Sequence, residues 1–215
     1  LHLADLTSAS ARAANINFAN LSRAILKHAD FTSSSFRYAN LRQAQLQYAK
    51  LQGPMNHGAD LSFAHLEQAN LMHAELNGSI FKSAKMRAAV LDNANLTGAN
   101  FSKADLRHAS LNNVSLQEAT LAWALLNQAH LRNAKLNSAD LYRAELPGAD
   151  LSDADLSGAR LTQTNLTQAI MRRTQLKKAS FVGTIVKNTD FSGAVYFSKI
   201  IDLHKARYLD SIIAP

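Results

Sequence analysis

The sequence holds no cysteine. Disulfides, thiolate metal ligands and cysteine nucleophiles are therefore excluded, and packing and hydrogen bonds must hold the fold. No apolar run approaches the roughly 20 residues of a membrane-spanning helix, and the chain does not open on a basic segment followed by a hydrophobic stretch. A Gly-rich phosphate loop, a nucleophile elbow and zinc-ligand spacing are also missing. An acidic excess is absent too: 23 Lys and Arg against 16 Asp and Glu give a net charge of +7, spread along the chain rather than massed in one run. What is there is 215 residues, 47% of them hydrophobic, enough for one globular domain with a core of its own.

That hydrophobic content is arranged with a period of five. Every fifth position from Leu6 to Ile201 is a large apolar residue except Ala11 and Asn56, and most positions two residues earlier, from Ala4 on, are alanine. An α-helix turns about 100° per residue, so a spacing of five walks the leucines around the cylinder instead of lining one face. A continuous strand alternates faces at every residue and would send leucines five apart to opposite sides. The pattern closes only if each unit is a short straight side followed by a corner, so that the chain winds round an axis and returns the same two positions inward. Coils then stack like strands of a parallel sheet, about 4.8 Å apart.

A second period of twenty points to four sides per coil: Gly58, Gly78 and Gly98; Asn93, Asn113 and Asn133; Arg87 and Arg107; Phe18 and Tyr38. Units such as ADLSD, ADLSG, ANLTG, ANFSK and ADLRH resemble those of the pentapeptide repeat family, A(D/N)Lxx, over nearly the whole chain. The resemblance implies an all-β fold, a right-handed four-sided parallel β-helix of about ten coils, forming a rod on the order of 50 Å long.

Residues 1–196 are read as the solenoid, with an irregular coil near 51–58, where Pro54 and Asn56 stand in the alanine and leucine positions. Proline offers no N–H to a coil-to-coil ladder, so a bulge or bent corner is expected there, or a kink or recognition loop. Threonine replaces alanine at Thr164, Thr174, Thr184 and Thr189, and the unit dissolves after Tyr196. In 197–215, Ile200, Leu203, Ala206 or Arg207, and Ile212 or Ile213 fall at rough helical spacing. This segment is expected to form a short helix or turn cluster that caps the rod, or a contact for a homodimer. The chain opens on Leu1 and is in register by Ala4, so the first coil is expected to dock onto a segment outside this sequence.

Chemistry is sparse. The eight histidines avoid core positions and scatter over the coils; counting by twenty, His28 and His108 share a column but lie four coils apart, too far for one metal ion. Carboxylates cluster before leucine, as at Asp60, Asp105, Asp140, Asp150 and Asp155, where a short polar side chain bonds to backbone at a corner. Lys27, Arg87, Arg107 and Lys187 fall in one column by the same count, and Arg172, Arg173, Lys177, Lys178 and Lys187 concentrate charge near the C-terminal end. Asp153 is placed beneath Arg173, however, and no base-stacking aromatics interleave the basic column, which argues against nucleic acid. Outward aromatics are more informative. Phe63 and Trp123 share a column, with Tyr142 and Arg143 one coil beyond Trp123, and aromatic residues and arginine are enriched at protein interfaces.

These residues mark the chain as a non-enzymatic scaffold without cofactor or metal, meeting a protein partner along a wall or at an end of the rod. Its resemblance to bacterial effectors delivered into host cells implies a domain of a larger bacterial protein, resident in the cytoplasm or secreted into a host. The alternative is protection of a type II topoisomerase, since some family members bind DNA gyrase by imitating duplex DNA. This chain departs from that pattern in being basic and in showing no extra-register loop insertion.

Overall fold

A computed structural model describes residues 1–53, 57–200 and 202–214. The chain winds as a four-sided coil in which each five-residue unit contributes one side and one corner. Four ladders of parallel bridges run along the rod, starting at Asp5, Ser10, Asn15 and Asn20, and each steps by 20 residues over most of its length. The fourth ladder, which defines the wall discussed below, continues through Asn40, His65, Lys85, Asp105, Leu125, Glu145, Asn165 and Ile185 to Arg207.

The unit Leu106–Ser110 shows why five residues suffice. Leu106 N–H donates to the Leu125 carbonyl at 2.7 Å and His108 N–H to Asn127 at 3.0 Å, both in the following coil. Ser110 N–H donates to Ala89 in the preceding coil at 2.9 Å, and Ala109 N–H closes the corner on the Leu106 carbonyl at 3.0 Å. The fifth donor, Arg107 N–H, is taken by the Asp105 carboxylate at 3.2 Å. Every donor of the unit is satisfied, as a buried coil requires. Asp or Asn before leucine recurs because it caps that fifth N–H two residues on, as at Thr32, Ser62, Ser152 and Ser192. At some corners where another residue stands there, a side chain one coil back substitutes: Asn17 receives Arg37 N–H, and Asp92 receives Asn112 N–H.

Leucine and alanine positions point inward and are buried along the rod. Serines and threonines at alanine positions are buried without being orphaned. The hydroxyls of Thr164, Thr184 and Thr189 donate to the carbonyls of Leu141, Leu161 and Leu166, at 2.6 to 2.8 Å, and Thr174 donates to Met171. The corner residue, two after leucine, takes the left-handed conformation on both sides of the insertion, with φ between 50° and 69°; Gly53 and Gly58 do not. That conformation costs a non-glycine residue about 1–2 kcal/mol, and β-branched side chains tolerate it least. Between Leu3 and Gly193 the corner position contains no Val, Ile or Thr.

At 51–58 the structure corrects the count by twenty. Ser35 bridges Asp60 and Lys50 bridges Glu75, a step of 25, so one unit contributes no side. Ala59 N–H reaches back eight residues to the Leu51 carbonyl at 2.7 Å, where Ala64 N–H reaches back three, to Leu61. The two ends of the insertion pack backbone against backbone. A Cβ on Gly53 would lie 2.3 Å from the His57 carbonyl oxygen, and one on Gly58 2.7 Å from Ser79 N. Pro54 and Asn56, on which the expected bulge rested, lie outside the described residues. The chain thus carries an extra-register insertion after all. Lys27 is displaced from the column of Arg87 and Arg107, and His28 from that of His108.

No α-helix occurs among the described residues; of the expected short helix or turn cluster, the segment forms turns. Three 3-10 turns, Phe197–Lys199, Leu203–Lys205 and Leu209–Ser211, each follow a left-handed residue: Tyr196, Asp202 and Tyr208. The unit has lengthened from five residues to six. Phe197, Leu203 and Leu209 take over the leucine position and Ile200, Ala206 and Ile212 the alanine position, all packed against the core. Arg207 bridges Ile185 and Ile213 bridges Asp190, so this last turn of chain still belongs to the coil.

Two substitutions test the corner geometry. Asn113, at φ 55°, should lose about 1–2 kcal/mol when changed to Val and little when changed to Gly, read by denaturant melting. Gly58→Ala should lower the melting temperature, because backbone atoms must move to admit the methyl group.

Candidate interaction surface

Corner side chains project from rigid edges of the rod, and those above one another meet at the coil spacing. After Asn15 the corner column runs Phe18, Tyr38, Phe63, Ser83, Lys103, Trp123, Arg143, Gln163, Gly183, as its hydrogen-bonded neighbours show. Phe18, Tyr38 and Phe63 form a ladder of parallel rings with centroids 5.2 and 4.8 Å apart. On the opposite corner His28, Tyr48 and His73 stack at 5.0 Å per step.

Of the four expected contact residues, the structure brings three together. Trp123 meets Tyr142 edge-on at 5.9 Å, and the Arg143 guanidinium lies 4.6 Å from the Trp123 ring and 5.2 Å from the Tyr142 ring. Phe63 shares the corner with Trp123, as expected, but Ser83 and Lys103 intervene and Phe63 stacks on Tyr38 instead. Two participants were missed in the sequence. Arg160 covers Tyr142 from the next coil at 4.4 Å, and Gln163 accepts a hydrogen bond from Arg143 Nε. Counting by twenty from Asp140 and Arg143 would have found both.

Beside this cluster lies a shallow groove of about 610 Å³, lined by Trp123, Leu125, Arg143, Glu145, Gln163, Gly183, Ile185 and Arg207. It follows the fourth wall. Its floor is apolar at Leu125 and Ile185, its rims carry Arg143 and Arg207, and its carboxylate, Glu145, already accepts from the Asn165 amide at 2.8 Å. Trp123 remains 45% exposed, which leaves much of the ring free for contact.

Carboxylates elsewhere are engaged within the rod. Asp60 pairs with Arg37, Asp105 with Arg107, Asp150 with Arg132, Asp190 with Arg172, and Asp153 with Arg173 as expected. Burial pushes Asp60, Asp150 and Asp190 up, but the Ser hydroxyl and amide two residues on, together with the paired arginine, outweigh it and hold each below the ordinary 3.8. At Asp105 the Arg107 hydrogen bond is the leading cause of the same lowering. No ladder among the described residues therefore presents a continuous row of free carboxylates. Among the described residues no group of His, Asp and Glu could hold a metal ion, and no helix is long and apolar enough to cross a membrane.

The repeated unit and the four ladders define a class, the quadrilateral β-helix, and the family follows from comparison. A pentapeptide repeat region model matches residues 84–161, and a model of eight pentapeptide repeats matches 24–53, 57–91 and 154–193. The chain is similar to HetL, a pentapeptide repeat protein involved in heterocyst differentiation regulation in the cyanobacterium Nostoc, at 32% identity over 97% of this chain and 91% of that one, TM-score 0.38. A pentapeptide repeat protein of the Arabidopsis thaliana thylakoid lumen shares 33% identity over 44% of this chain and 59% of that one, TM-score 0.31. QnrB1, a plasmid-mediated fluoroquinolone resistance protein, shares 17% over 92% of each chain, TM-score 0.38. No curated protein matches. The chain belongs to the pentapeptide repeat family, whose fold is the right-handed quadrilateral β-helix.

The Asp cap gives a prediction that separates its two roles. Asp150→Asn keeps the bond to Ser152 N–H and loses only the pair with an exposed arginine, for a cost under about 1 kcal/mol. Asp150→Ala also orphans the amide and should cost about 1 kcal/mol more. A carboxyl with a lowered folded pKa contributes fully above its unfolded value and loses that contribution as pH falls through the folded one. Melting temperature should therefore be flat down to about pH 5 and fall below about pH 4.

Proposed function

We propose that the chain is a non-enzymatic protein-interaction scaffold whose partner docks along the fourth wall, with Trp123, Tyr142 and Arg143 as the anchor. The observation that carries this reading is the meeting of those three side chains on an exposed edge beside an apolar-floored groove. Aromatic and arginine side chains at the centre of an interface supply most of its binding energy, and here their geometry is set before any partner arrives. Phe63 extends the same edge as a secondary contact. In this reading the six-residue coil at the C-terminal end caps the rod, because its inward side chains cover the last core residues. Such a display surface suits a module of a larger protein, bacterial effectors among them.

Imitation of DNA for a topoisomerase is the weaker reading. The insertion at 53–58 removes one departure from the gyrase-protecting pattern, but the charge departure stands: most carboxylates are paired or hydrogen-bonded within the rod, and the net charge is +7. A DNA-binding saddle attracts the opposite sign.

The experiment is recovery of partners from the source cell, or its host, with the wild-type chain and with Trp123→Ala, Arg143→Ala and Phe63→Ala. The first two should weaken capture by about 2 kcal/mol or more each, roughly 30-fold, at unchanged melting temperature, and Phe63→Ala by less. Equal recovery by the first two would remove the anchor.

A further inference from the structure

Between the aromatic ladder ending at Phe63 and the Trp123 cluster, the same edge and the fourth wall carry four cations outside any ion pair. Lys82, Lys85, Arg87 and Lys103 are all exposed, and among the described residues none of them forms an ion pair or a side-chain hydrogen bond. Lys85 sits in the wall's ladder between His65 and Asp105. Lys103 is the corner residue directly before Trp123, joined to that side through its N–H to Ala122 at 3.0 Å. The carboxylate within the band, Asp105, is held in a two-point pair by Arg107, with bonds of 2.8 and 2.6 Å; it also feels the charge of Arg87 but is engaged by Arg107 rather than by any of the four. Elsewhere on the rod most arginines are matched by a carboxylate, whereas lysines such as Lys135 and Lys178 also lack an ion pair among the described residues; the band is set apart by lying beside the apolar-floored groove.

From this juxtaposition we infer that the fourth wall binds an acidic polypeptide segment, its carboxylates on the Lys82–Lys103 band and an adjoining apolar side chain in the groove beside Trp123. The inference rests on the scaffold reading and names the partner's chemistry. Charge complementarity selects the sign of the ligand, and the Leu125 and Ile185 floor selects an apolar neighbour. From the Lys85 coil to the Arg143 coil is three coil spacings, about 14 Å, or roughly four residues of extended chain. Single-stranded nucleic acid fits less well. Rings stacked at about 5 Å by the coil spacing cannot admit a base between them, and one Trp123 face is covered by the Arg143 guanidinium, whereas strand binding relies on a series of open ring faces.

Trp123 is the only tryptophan of the chain, so its emission reports occupancy of the groove directly. The titrants are a synthetic peptide of Glu with flanking Leu, its Gln counterpart, and an oligothymidine strand. The Glu peptide should shift the emission saturably, more weakly as salt is raised, and the Gln peptide should bind at least about tenfold more weakly. A Lys85→Glu, Lys103→Glu variant should lose binding to a similar degree at unchanged melting temperature, while Lys135→Glu on another wall should not. Equal binding of the Glu and Gln peptides, tighter binding of oligothymidine, or no effect of the double variant overturns the inference. If the double variant captures cellular partners as well as wild type while Trp123→Ala does not, the scaffold stands and the acidic partner falls. If Trp123→Ala has no effect either, both fall.

Discussion

The structure depends on the backbone N–H account of the five-residue unit. Two donors reach forward to the next coil, one reaches back, one closes the corner, and one has no main-chain acceptor within reach. The fifth is why the unit has a consensus at all, since an Asp or Asn immediately before leucine takes it at Ser62, Ser152 and Ser192. Hydrophobic packing would be satisfied by any apolar residue in the leucine position. Polar satisfaction of a coil whose every side is short demands something more specific. The rule is about the donor rather than the position, as Asn17 and Asp92 show by serving from one coil back.

The same account makes the outside a set of straight rows. Because each corner residue is held by a main-chain bond to the next coil, its side chain lies over its neighbour at nearly constant spacing, and rows of like shape become ladders. Planar rings stack, as at Phe18, Tyr38 and Phe63. Opposite charges pair, as at Arg173 over Asp153. Like charges in successive coils have no such outlet. A band such as Lys85, Arg87 and Lys103 therefore carries mutual repulsion, which a ligand of opposite sign would relieve.

Much of this was legible in the sequence, and the misses have physical causes. Leucine and alanine five apart force an inside with corners, and the period of twenty gives four sides. The insertion was hidden because it is itself five residues long. The count of five keeps its register across it despite Asn56, and only the pairing of Ser35 with Asp60 reveals that a side has been skipped. The cost was the misassignment of columns across it, for Lys27 and for His28. At the C-terminal end, turns that repeat every six residues and bury positions three apart look like helical spacing; Ile200, Leu203, Ala206 and Ile212 satisfy both patterns. One signal went unread: a position that never holds Val, Ile or Thr is a left-handed corner.

The candidate surface was legible only in part, for a related reason. Trp123, Tyr142 and Arg143 stand out by residue type, but Arg160 and Gln163 matter only through their contacts, and the groove floor at Leu125 and Ile185 is assembled from residues 60 apart. On a solenoid such distances in sequence are short in space, so a site is a stretch of one wall rather than a motif. The wall also sets what binding can cost. Its side chains are already ordered by stacking, pairing and main-chain bonds, so a partner loses little free energy to ordering this protein and must supply that cost itself. Affinity on such a surface then follows from how well the partner's own spacing of charge and apolar groups matches a pitch of about 4.8 Å. A segment that fits the band but not the groove would bind by charge alone and be displaced by salt; contact with Trp123 is what would make binding persist.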